Sequence, residues 1–210
     1  MNKKVIKAMF VNICSKEETR PIMMGVHFER ERTYASDGHL LVIFKEGSVE
    51  LDGKTMSSEG KEIEGKYPNV DSVFPSKEMR GDEFTLDVVQ LQKACAYHIR
   101  QLSATQNDKV VIYGTGYNIR SLFRLLNTIT TIGDPKNVKF YSKDKDHATV
   151  VVSDQMQSLI MPTLYEESDV DDMPLDFADT KTISYENFIN DYVFNGWKKK
   201  EPKDELAWAV

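Results

Sequence analysis

Apolar residues recur along this 210-residue chain in two rhythms, one helical and one of strand type, and the change from one to the other predicts its elements. Val5/Ile6, Met9, Phe10 and Ile13 follow helical spacing over residues 3–14, with Lys3 and Lys7 four apart on another face. Extended stretches follow at 22–30, 32–36 and 39–44. Asp37-Gly38 between the last two predicts a hairpin, whose type I′ turn needs positive φ at both central positions. Residues 47–65 are polar, with Gly47, Gly53, Gly60 and Gly65, and read either as short strands or as a long loop. A linker over 74–81 precedes a strand at 83–86. Asp87 with Gln90 has the form of a capping box, opening a helix with Val88, Leu91, Cys95, His98 and Leu102 at core spacing and Lys93 and Arg100 sharing a face. After a strand at 109–113, Gly114-Thr-Gly116 forms a turn and Asn118 caps a third helix. That helix carries Ile119, Leu122, Phe123, Leu126 and Ile129 on one stripe and Arg120, Arg124 and Asn127 on another, and Gly133 and Pro135 end it. Strands at 138–142, 149–153 and 157–162 follow.

Charge separates the end of the chain from the rest. The net charge is −6, but residues 166–210 carry twelve Asp/Glu against five Lys/Arg, which leaves 1–165 close to neutral at +1. Overall acidity therefore says little about any binding face of the body. Residues 166–179 hold seven acids and no base, a solvated linker by composition. Beyond it Ser184 can cap a helix with Tyr185, Phe188, Ile189, Tyr192, Val193 and Trp197 along one face, which must dock on its own body or on a partner.

Four separated stretches, in order, resemble the bacterial DNA sliding clamp, the β subunit of the replicative polymerase. Glu18-Thr-Arg-Pro-Ile-Met-Met-Gly25 is similar to the family's E-T-R-P-x-L-x-G-V, and Ala35-Ser-Asp-Gly-His-Leu-Leu41 to its A-T-D-G-H-R-L. Gly65-Lys-Tyr-Pro-Asn-Val-Asp-Ser-Val-Phe-Pro75 resembles its interdomain G-x-F-P-[DN]-[YL]-x-x-V-x-P segment, and Leu159-Ile-Met-Pro-Thr163 its V-V-M-P-M close. Tyr117 to Leu126 resembles the helix F-N-x-x-Y-L-x-D-x-L of the family's last domain. The resemblance implies an α+β fold of β-α-β-β-β repeats, with antiparallel sheets and helices on one face. It divides the chain into a trimmed clamp-like domain over 1–76, a second over 77–165, and a tail over 166–210 with no family counterpart.

Carried over stretch by stretch, the family's peptide pocket falls on Met23, Ser36, Gly38, His39, Leu40, Leu41, Pro68, Ser72, Val73, Leu159, Met161, Pro162 and Thr163. Leu40 and Ser72 stand where the family usually or often has Arg, and Thr163 where Met or Leu is common, so a less basic and shallower pocket is expected. Clamp helices line a central hole and hold duplex DNA through phosphates, which asks only for spaced positive charge. Lys3, Lys7, Lys93, Arg100, Arg120 and Arg124 are the candidates by helical face. The function implied is a non-enzymatic, cytoplasmic processivity or tethering factor that docks replication proteins bearing a clamp-binding peptide. The alternative is an interaction module that keeps the pocket without encircling DNA. With three helices in the body, closing a family-sized ring would need a homo-oligomer larger than the usual dimer. In the tail, Asp172-Met-Pro-Leu-Asp-Phe177 has the Leu-x-Phe spacing of the family's partner peptides. It reads either as a linker whose apolar residues pack locally or as a self-binding segment.

Enzyme chemistry has little to stand on. His27, His39, His98 and His147 are scattered without Cys/His/Asp spacing for a metal, and no serine sits in a nucleophile elbow. Gly114-Thr-Gly116 between a strand and a helix could hold a phosphate, but it lacks the third glycine of a dinucleotide fingerprint. No cofactor is expected. Cys14 and Cys95 read as free buried thiols of a reducing compartment, no apolar run approaches the ~18 residues of a membrane span, and no signal peptide is expected.

Overall fold

The computed structural model describes residues 2–101, 107–132, 135–166, 170 and 182–196. Helix α1 (Lys3–Asn12) is followed by strands β1 (Val26–Phe28), β2 (Thr33–Ser36), β3 (Leu40–Phe44) and β4 (Thr55–Met56). A second series runs β5 (Asp82–Phe84), α2 (Val88–Gln101), β6 (Lys109–Ile112), β7 (Thr115–Asn118), α3 (Ile119–Ile132), β8 (Lys139–Ser142), β9 (Thr149–Val152) and β10 (Met156–Ile160). The described residues end with β11 (Thr182–Ser184) and α4 (Tyr185–Gly196).

One eight-stranded sheet, ordered β4-β1-β2-β3-β10-β9-β8-β5, unites both series. Its two halves mirror each other: a helix followed by a three-stranded antiparallel meander (α1-β1-β2-β3 and α3-β8-β9-β10), with an added strand outside each. The last strands of the meanders, β3 and β10, pair antiparallel from Leu40↔Ile160 to Phe44↔Met156. Helix α1 packs on α3, and α3 on α2, forming a layer on one face.

Strand β3 shows how the second face is used. All five of its residues are buried, which a strand with one wet face does not allow. Alternation sends Leu40, Val42 and Phe44 into the core under the helices, and Leu41 and Ile43 into a smaller core on the opposite face. That second core is closed by the linker over 65–75, whose Tyr67 and Val70 are buried against Tyr34, Leu41 and Leu159. Arg32 pins this strap by donating to Asp71 (2.7 Å) while also bonding Glu29, and the Ser36 amide donates to the Tyr67 hydroxyl (2.9 Å).

The helix caps follow the sequence. Asp87 Oδ1 accepts from the Gln90 amide (2.9 Å), and Asn118 Oδ1 accepts from the Arg120 and Ser121 amides (3.1 Å each). Both cysteines are free and buried, and burial pushes the Cys14 thiol up to about 12, so neither is a reactive thiolate. The predicted strand at 22–30 begins later, because Pro21–Met24 forms a 3-10 turn and β1 starts at Val26. The stretch 47–65 contributes one short strand, β4, at the sheet edge.

The tail returns to the body. Strand β11 pairs parallel with β6, extending the three-stranded sheet β11-β6-β7, and α4 packs on α2. Ser184 caps α4 by accepting from the Asn187 amide (3.4 Å). Phe188 is buried and lies 5.6 Å from the ring of His98. His98 in turn contacts Asp108 at 2.9 Å, both side chains only 2% exposed. Of the two docking options, the aromatic helix takes its own body. Trp197 and the segment Asp172–Phe177 lie outside the described residues.

Candidate functional site

The β2–β3 turn differs from the expected type I′. Among Asp37, Gly38 and His39 only Gly38 has positive φ (93°), so the turn centres on Gly38-His39, with positive φ at the first central position. Asp37 contributes through its side chain instead. Its Oδ1 accepts from the His39 and Leu40 amides (2.8 Å each), and its Oδ2 accepts from Arg124 Nη1 of α3 (2.7 Å). Arg124 Nε also donates to the Asn12 carbonyl at the end of α1 (2.6 Å). One guanidinium thus joins the hairpin, α1 and α3, and the charge of Arg124 is answered inside the protein.

Beside this turn lies a cavity of about 200 Å³ lined by Met23, Ser36, Gly38, His39, Leu40, Leu41, Tyr67, Pro68, Asn69, Val70, Val73, Leu159 and Met161. Ten of the thirteen residues expected from the sequence are among them, drawn from the 3-10 turn, the hairpin, the strap and β10. Gly38, Val73 and Met161, far apart in sequence, all line this one cavity. Buried Leu41, Tyr67, Val70 and Leu159 make the floor apolar, while Val73 and Met161, 55% and 45% exposed, stand at the rim as apolar surface open to a ligand. Tyr67, Asn69 and Val70 were not expected, although they lie inside the strap motif; the three-residue spacing of Tyr67, Val70 and Val73 was the signal.

Pro162 and Thr163 border a second, larger cavity of about 550 Å³ with His39, Asn107, Asn118, Arg120, Ser121 and Met161. His39 and Met161 line both cavities. The Met161 amide donates to the His39 carbonyl (2.9 Å), and Thr163 N donates to the Gly116 carbonyl (2.8 Å), so the segment after β10 is stitched to the hairpin and to β7. A Cβ on Gly116 would lie 2.4 Å from the Thr163 carbonyl oxygen, which is why glycine stands there. Ser72 lines neither cavity; its hydroxyl donates to the Asn69 carbonyl (2.7 Å) within the strap.

Lys3, Lys7, Lys93 and Arg100 are exposed on α1 and α2, and Arg120, also exposed, borders the larger cavity. A broader signal surrounds them: α1, α2 and α3 together contain seven Lys/Arg and no Asp or Glu, in a chain with 33 acidic residues. The acidic groups are thus confined to strands, loops and tail, and every charged side chain of α1, α2 and α3 other than histidine is basic.

The phosphate-loop reading of Gly114-Thr-Gly116 fails on its geometry. Tyr113 (φ 49°) and Gly114 (φ 72°) form a tight turn between β6 and β7, with Ile112 opposite Thr115. Thr115 and Gly116 are buried within β7, so their backbone is not a cradle at a helix N-terminus. Among the described residues no group of three His, Cys, Asp or Glu side chains could hold a metal ion, and no helix is long and apolar enough to cross a membrane.

No family model and no curated protein matches the sequence. Solved structures do match. The DNA polymerase III beta chain of Streptococcus pneumoniae superposes with a TM-score of 0.58 at 17% identity, over 79% of this chain and 64% of that one. The chain has the bacterial sliding-clamp fold. The beta subunit of Streptococcus pyogenes DNA polymerase gives 0.60 at 15% identity, over 79% and 65%. A sliding clamp of Bartonella birtlesii, solved bound to griselimycin, gives 0.60 at 13%, over 78% and 63%. This chain spans just under two thirds of the length of those clamps, and its likeness to them is one of fold. Helices on one face of an antiparallel sheet are the architecture they share.

Proposed function

We propose that this clamp-fold chain is a non-enzymatic DNA-tethering factor, which holds duplex DNA without sequence preference against its helix layer and docks replication proteins through the apolar cavity. The observation that carries this reading is the convergence of four separated stretches on one cavity with an apolar floor and an exposed Val73–Met161 rim. Such a site draws affinity from buried aliphatic and aromatic anchors. The acid-free helices supply the second half: phosphate contacts need positive charge and no base reading. A short peptide with Leu and Phe anchors should bind, and Met161→Ala should weaken it by ~1–2 kcal/mol in a calorimetric titration. Unchanged affinity rejects the pocket.

A second reading, a pocket-bearing module that does not encircle DNA, is favoured by β11, which takes up the edge of β6 within the chain's own fold. Sedimentation velocity with binding to nicked circular and linear duplex separates the two. An oligomer retained on circular DNA supports the ring, whereas a monomer with no DNA affinity at low salt leaves the module alone.

A further inference from the structure

We propose that the tail brakes the chain's own binding of DNA: docked through β11 and α4, it is held as an acid-rich element alongside the basic helices and repels the phosphates that they attract. The inference rests on the DNA-tethering reading above and adds its regulation. Helix α1 packs on α3, α3 on α2 and α2 on α4, so α4 continues the row of helices. The sign of charge reverses along that row. The first three helices hold seven Lys/Arg and no acid, whereas α4 holds Glu186 and Asp191 and no Lys or Arg. Residues 166–196, which lead into α4 and include it, contain nine Asp/Glu against the single base Lys181, and the four Lys and three Asp/Glu that follow nearly cancel.

Docking fixes where α4 sits. Strand β11 is held on β6 from Thr182↔Lys109 to Ser184↔Val111, and Phe188 is buried beside His98 of α2. Lys93 and Arg100, five residues before His98 and two after it, lie on nearly the opposite side of α2 and are exposed. Helix α4 therefore flanks these cations without covering them, and its effect on DNA acts through the field. Packed helices have axes ~8–10 Å apart, about one Debye length at physiological salt and well inside the ~30 Å of 0.01 M. The repulsion is partly screened at physiological salt and grows as salt falls.

The test measures duplex DNA binding by fluorescence anisotropy for the full chain and two fourfold variants, at salt from ~0.05 to ~0.3 M. The tail variant carries Asp176→Asn, Asp179→Asn, Glu186→Gln and Asp191→Asn. The control carries Glu31→Gln, Glu50→Gln, Glu64→Gln and Asp154→Asn, exposed acids outside the helices whose loss changes the net charge equally. The tail variant should bind roughly tenfold tighter than the parent at the lowest salt, with the gap closing as salt rises, and the control less than about twofold tighter. Equal affinity of tail variant and parent, or an equal gain in the control, overturns the brake while DNA binding by the parent stands. No measurable duplex affinity in any of the three overturns the DNA reading and the brake with it.

Discussion

Replacing Arg124 by Met removes a guanidinium but keeps most of its aliphatic stem, and the geometry fixes how much that should matter. Arg124 makes a charge-assisted bond to Asp37 (2.7 Å) and a bond to the Asn12 carbonyl (2.6 Å), with its side chain 30% exposed and that of Asp37 11% exposed. Exposed ion pairs contribute ~0–1 kcal/mol, whereas breaking a buried one costs ~3–5. This half-buried latch falls between them, so Arg124→Met should cost ~2–3 kcal/mol. Asp37→Ala should cost more, ~3–4 kcal/mol, because the His39 and Leu40 amides also lose their acceptor and Leu40 is buried. The double variant should cost less than the sum, since each single change already breaks the shared bond. Urea unfolding followed by circular dichroism measures all three. Single-variant losses below ~0.5 kcal/mol, or strict additivity, would refute the latch.

Phe188→Ala should cost ~3 kcal/mol and raise hydrogen exchange across β11 and α4, since Phe188 anchors the tail on α2; a loss under 1 kcal/mol would mean the tail is not docked through it. Burial holds the His27 imidazole below its ordinary 6.5, so the unfolded chain takes up the proton first and stability falls as pH drops below about 6.5. His27→Asn should flatten that slope in urea titrations between pH 7 and 5, and an unchanged slope rejects the cause. Bonds from Arg32 hold the Glu29 and Asp71 carboxyls below their ordinary 4.5 and 3.8. Their contribution is present above those values and is lost as pH falls through the depressed ones, so peptide affinity should drop with the strap there.

The sequence carried the elements and most of the apolar cavity because both rest on short-range signals. Helical spacing marked α1, α2 and α3, side-chain caps marked the starts of α2 and α3, and motif order brought Met23, the hairpin, the strap and Met161 to one place. Three features were not legible. The turn at Asp37-Gly38 moved by one residue because Asp37 serves as an acceptor through its carboxylate, which depends on Arg124, 87 residues away. Arg124 itself looked like a surface cation on an exposed stripe, and only the packing of α3 on α1 reveals its partners. The joining of both series into one sheet through β3 and β10 is a long-range pairing, for which alternating apolar strands give no address. The absence of acids from the three helices was legible in the letters, once helix boundaries were known.

The central claim is that the helix layer holds DNA through phosphates, and the salt dependence of duplex binding tests it most directly. If Lys3, Lys7, Lys93 and Arg100 each neutralise one phosphate, log K should fall against log[salt] with a slope of roughly −3 to −4. Replacing all four by Gln should flatten the slope by roughly 3 to 4, while Arg124→Met, whose charge is answered internally, should leave it unchanged. A full chain with no measurable duplex affinity at low salt, or a fourfold variant with the parent's slope, would contradict the account.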